Sequence, residues 1–146
     1  MKKIIVALLI IAMMLSLCLT MQSCNGEPEQ TQNSGAGEAT GLWKNATYTE
    51  DATVGEGSKT VTCKMELEGK SITITLKTDK TVLGEALYEH KLVNDPSFFD
   101  TLNGVKADWS ADKAYWCFYI GDEMANVGID DAKISGGEQF KFVYTK

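Results

Sequence analysis

The sequence holds a single histidine, His90, among 146 residues, and no cluster of basic side chains. Each shortage removes a class of function. One histidine with no evident nucleophile beside it and no ligand spacing around it gives neither a nucleophile–base pair nor a zinc site. Without clustered Lys and Arg, a nucleic-acid backbone finds no electrostatic footprint, and charge alone does not draw the protein to anionic lipid. No glycine-rich phosphate loop or metal signature is present either. The expectation is a protein that is not an enzyme, has no resident cofactor and does not bind nucleic acid.

What the sequence does have begins with a leader. Lys2 and Lys3 precede an apolar run from Ile4 to about Leu19, and a short polar stretch then leads to a cysteine. The run is barely long enough to span a bilayer and ends in a processing-like site, so residues 1–23 read as an export signal. Met21-Gln22-Ser23-Cys24 resembles the lipobox of bacterial lipoproteins. That resemblance implies cleavage before Cys24 and a diacylglyceryl group on its sulfur, and hence a membrane anchor on the extracytoplasmic face. Met21 and Gln22 depart from the residues favoured in that motif. Removing Lys2 and Lys3 with the leader takes the formal charge from −6 to −8.

Residues 24–44 form the acylated cysteine and a tether. They are rich in Gly, Glu, Gln, Ser and Thr and poor in the apolar residues whose burial offsets ordering entropy. About seventeen flexible residues reach on the order of 20 Å. The remaining residues, 45–146, suffice for one domain.

Within that domain the hydrophobic period changes twice. Val61, Cys63, Met65 and Leu67 alternate with polar residues, and Ile72, Ile74 and Leu76 repeat the alternation after Glu68-Gly69-Lys70. This predicts a β-hairpin. Val82, Leu83, Ala86, Leu87 and His90 then fall at spacings of three and four, which predicts one short helix capped by Thr81 or Asp79, weakened by Gly84 and stopped by Asn94-Asp95-Pro96. Residues 98–105 read as a short strand or loop ending in Asn103-Gly104. Further strands are expected over 115–120, 125–129 and 139–145. A mixed sheet of about five strands with one helix across it is an α+β domain.

The words Asn103-Gly104, Tyr115-Trp116, Tyr119-Ile120-Gly121, Gly128-Ile129 and the closing Phe142-Val143-Tyr144-Thr145 resemble the transcobalamin-like C-terminal domain family, found in bacterial surface lipoproteins. The likeness runs over residues 60–146. It implies a β-grasp-like fold related to the smaller domain of the cobalamin carriers, in which a Tyr-Trp strand and nearby loops close over one face of a corrinoid. The large helical domain of those carriers has no counterpart in this sequence.

Four aromatic residues are the candidate ligand-binding set: Trp109, Tyr115, Trp116 and Tyr119. On a strand, Trp116, Phe118 and Ile120 point one way and Tyr115, Cys117 and Tyr119 the other. Trp116 and Phe118 are expected mainly in the core, whereas Tyr and Trp tolerate a wet edge and offer flat area at low entropic cost. Asp108, Ser110 and Asp112 alternate like the first half of a calcium loop, but Lys113 stands where glycine is required, so a solvated acidic turn is the better reading and calcium an unfavoured one. Cys63 and Cys117 remain as a candidate disulfide or as small buried hydrophobes. Two functions follow: capture of a corrinoid or other planar molecule for an uptake transporter in the same membrane, or an adhesion module that contacts another surface protein through its tyrosines and sheet edge.

Overall fold

The computed structural model describes residues 39–146. The export segment, Cys24 and most of the expected tether lie outside the described residues. Eight strands form in chain order: β1 (Ala52–Val54), β2 (Lys59–Leu67), β3 (Lys70–Thr78), β4 (Thr101–Leu102), β5 (Val105–Lys106), β6 (Tyr115–Ile120), β7 (Glu123–Met124) and β8 (Gln139–Thr145). Two short helices, α1 (Leu83–Glu89) and α2 (Trp109–Asp112), and a 3-10 turn at Gly41–Asn45 complete the fold. Six strands make one mixed sheet in the order β1-β3-β2-β8-β6-β7, while β4 and β5 form a separate ribbon. This is a β-grasp-like α+β fold.

The expected hairpin is present in its expected register. Cys63 pairs with Ile74 and Met65 with Ile72 across β2 and β3. Period-2 alternation puts every apolar residue of both strands on one face, where Val61, Cys63, Met65, Leu67, Ile72, Ile74 and Leu76 are all buried. Each such side chain contributes roughly 2 kcal/mol by leaving water. β8 joins parallel to β2, bringing Phe140 beside Cys63 and Phe142 beside Met65. Leu83, Ala86 and Leu87 of α1 close the same cluster from above.

The helix is shorter than its apolar pattern and is capped differently. Its N-cap is Val82, with no side-chain cap. Main-chain carbonyls take over that role: Leu83 N–H donates to Ala132 O at 2.9 Å and Gly84 N–H to Ile129 O at 2.8 Å. At the other end, Leu92 N–H donates to Leu87 O at 2.9 Å and Lys91 N–H to Tyr88 O at 3.0 Å, with Lys91 left-handed at φ 56. These two bonds form a Schellman motif, so the helix stops well before Pro96. Gly84 is more than a weak helix former, because a Cβ there would overlap the Pro96 carbonyl oxygen.

Three other expectations need correction. Strand β7 occupies Glu123–Met124 rather than 125–129. The later segment instead turns under the start of α1, where Ile129 is buried and its carbonyl accepts from Gly84 N–H. The boundary of the tether also moves, since Trp43 is buried and donates its indole N–H to Leu67 O at 3.0 Å. Residues 41–44 therefore belong to the fold. Finally, Cys63 and Cys117 are both free thiols. Cys63 lies on the core face of β2 and Cys117 on the opposite face of β6, with β8 between them. Two strand spacings amount to roughly 9.5 Å, beyond the reach of a disulfide.

Candidate functional site

The sheet's clean alternation ends at β6. Of its six residues none is buried, and Tyr115 and Ile120 are exposed. The core face of β6 is covered by rings instead of by α1. Phe118 stacks on Phe142 with centroids 5.1 Å apart, and Phe99 meets Phe142 edge-on at 5.9 Å. Trp116 meets Tyr144 edge-on at 5.3 Å and donates its indole N–H to Val105 O at 3.2 Å. Beyond these rings lies an open groove of about 700 Å³, bounded by the loop 97–100, the segment 106–110, the first residues of β6 and the loop 127–129.

The rim of the groove is held by local chemistry. Asp95 Oδ1 accepts from Ser97 N–H and Phe98 N–H, both at 2.8 Å. Asn94 Oδ1 accepts from Asp100 N–H at 3.2 Å and Thr101 N–H at 3.1 Å, so the loop is tied at both ends. The turn thus holds Phe98 out at 93% exposure. On the opposite rim, Asp108 Oδ1 accepts from Ser110 N–H at 2.9 Å and Ala111 N–H at 3.0 Å, capping α2. The Ala111 N–H and then the Lys106 ammonium hold the Asp108 carboxyl below its ordinary range. Lys106 Nζ sits between Asp108 at 3.4 Å and Asp100 at 3.7 Å. Helix α2 turns Trp109 out, 60% exposed, with its ring 5.9 Å from that of Tyr115.

The four aromatic candidates therefore divide. Trp109, Tyr115 and Trp116 line the groove. Tyr119 does not: it shares a strand face with Tyr115 but lies further along β6, beneath Lys141 Nζ at 4.6 Å from its ring. Trp116, expected mainly in the core, is half-buried with one edge in the groove. The Asp108-Ser110-Asp112 pattern is a helix cap in which one carboxylate already accepts two main-chain hydrogen bonds. Phe98, Phe99 and Lys106 were not candidates from the sequence. The signal that could have found them is Asn94-Asp95-Pro96, whose side-chain acceptors make a fixed turn and so place the two phenylalanines after it. His90 lies away from the groove, at the C-cap of α1.

The family described as a domain of unknown function, DUF4430, matches residues 79–146, which include the whole groove. No curated protein matches the chain. A crystal structure from Ruminococcus gnavus ATCC 29149, at 1.30 Å and provisionally named a metal binding protein, is similar with a TM-score of 0.56 and 25% identity, over 61% of this chain and 98% of that one. Haptocorrin in complex with Cbi is similar at a TM-score of 0.46 and 14% identity, over 60% of this chain and 25% of haptocorrin. This chain thus spans about a quarter of the haptocorrin chain, and nearly all of the Ruminococcus one.

Proposed function

We propose that this protein is a lipid-anchored, extracytoplasmic, non-catalytic binding module whose groove beside β6 receives a small ligand with a flat apolar face. One observation carries the reading: Phe98, Trp109 and Tyr115 stand exposed around a ring-lined groove of about 700 Å³. That volume lies within the range of small-molecule sites. Exposed aromatic rings held by capped turns offer contact area at little entropic cost. A corrinoid, the ligand implied by the resemblance to the transcobalamin-like C-terminal domain family, has the flat face this groove suits, and an uptake transporter in the same membrane is the proposed recipient.

The name of the Ruminococcus protein raises a metal as the ligand. The groove does not suit a bare cation: among the described residues no three His, Cys, Asp or Glu groups come together, and Asp108 is occupied as a helix cap. A ring-bearing ligand fits better.

Anchorage is proposed through Cys24, with residues 25–40 as the tether. Labelled fatty acid should appear on the wild-type chain and not on Cys24→Ala. The ligand is tested by titrating the full chain with cobalamin, cobinamide and haem. Tryptophan fluorescence should change at micromolar concentration for at least one of them, and no response up to high micromolar would contradict the reading.

A further inference from the structure

The wall of the groove made by β6 is an open sheet edge. On one side β6 pairs with β8 along all six residues, but on the other β7 covers only Tyr119 and Ile120. Phe118 O accepts from Ala125 N–H at 3.0 Å, so the Phe118 main chain points away from β8. Alternation along an antiparallel strand puts the Trp116 N–H and C=O on that same outward edge. Neither group has a hydrogen-bond partner among the described residues. An unpaired donor and acceptor at strand spacing are what another extended backbone would satisfy.

Charge says what kind of backbone. Residues 94–131, which carry the groove, hold eight acids against two lysines, a net −6. Residues 39–93 hold eight acids and seven lysines, and residues 132–146 one acid and three lysines. About half of the domain's acids but only two of its twelve lysines lie in the segment that carries the groove, so the domain's net negative charge falls there. Such a field attracts a cationic partner and repels an acidic one.

We propose that β6 is a docking edge for an extended, lysine- or arginine-bearing peptide segment of another protein, which adds as a short strand beside Trp116. Alternate side chains of the added strand enter the groove against Trp116 and Phe118, and its cationic groups meet the acidic rim. The inference stands on the main-chain edge and the charge distribution, so it does not depend on a small ligand. The two occupants would share the groove and exclude each other, and either test can fail while the other succeeds.

Selection of random ten-residue displayed peptides on the full chain in detergent micelles, followed by titration of the selected peptides, tests it. The enriched sequences should carry net positive charge. N-methylation of the residues whose backbone pairs with Trp116 should weaken binding tenfold or more, while methylation of the intervening residues leaves it within about threefold. Asp100→Asn together with Asp108→Asn, which keeps a capping side chain, should weaken it severalfold. Enrichment of neutral or acidic peptides, binding indifferent to N-methylation at every position, or no enrichment would each overturn the proposal.

Discussion

The β2–β3 hairpin and the β6 end of the same sheet use the same period and reach opposite results. In the hairpin, aliphatic side chains alternate with polar ones, α1 covers the apolar face, and Cys63, Ile74 and Leu76 have no exposure at all. At β6 both faces carry rings, the helix does not extend that far, and the cover is a set of loops that meet incompletely. Alternation seals a sheet only where something lies over it. Where the cover is partial, large flat side chains fill the shortfall and leave usable surface.

The largest expected effect strikes the sealed region. Gly84→Ala should destabilise by on the order of 3 kcal/mol, because its methyl would overlap the Pro96 carbonyl, although alanine is the better helix former by about 1 kcal/mol. Chemical denaturation measures this, and a stabilised variant would refute the close approach. Asn103→Ala should cost about 2 to 3 kcal/mol. Its buried side chain accepts from Tyr48 N–H at 2.9 Å and donates to Tyr48 O at 2.8 Å, fastening the N-terminal segment to the β4–β5 turn.

At the open end the reverse pattern should hold. Trp109→Ala should move stability by no more than about 0.5 kcal/mol, since the ring is mostly in solvent, yet weaken any groove ligand about tenfold. The two thiols give a further contrast. Burial pushes the Cys63 thiol up to about 12, so it should resist iodoacetamide in the folded protein, whereas Cys117 should be modified first; peptide mass mapping separates them. Equal rates would mean that the sealed half opens as readily as the other.

The smallest effect concerns acid. Main-chain N–H donors, Ser58 at Asp79, Phe98 at Asp95 and Ala111 at Asp108, hold these carboxyls below their ordinary range. A depressed folded value gives stability that is present above the unfolded value of about 4 and lost as pH falls through the folded values. Melting temperature should therefore be flat from pH 7 to about 5 and then fall. Asp95→Asn should reduce that fall slightly.

The regions also differ in how far the sequence reveals them. The hairpin, α1 and β8 follow from periodicity, because each buries one face against a continuous partner, whereas β6 is legible as a run of strand-forming aromatic residues. β1, with only three residues, and the true position of β7 do not, since both are fixed by pairing and not by pattern. The cap of α1 was hidden for a related reason: its acceptors are carbonyls of residues 129 and 132, more than forty residues away along the chain. For the site, the aromatic residue types were legible and their sides were not. Tyr115 and Tyr119 share a strand face, yet only Tyr115 sits at the end where Trp109 and the 97–100 loop converge.

Hydrogen exchange on the full chain, with and without saturating cobinamide, tests most directly whether the groove is the binding site. Exchange should slow at residues 97–100, 106–109 and 115–118, with no change in β2 and β3. Protection confined to the β1 edge, or no protection anywhere, would contradict it.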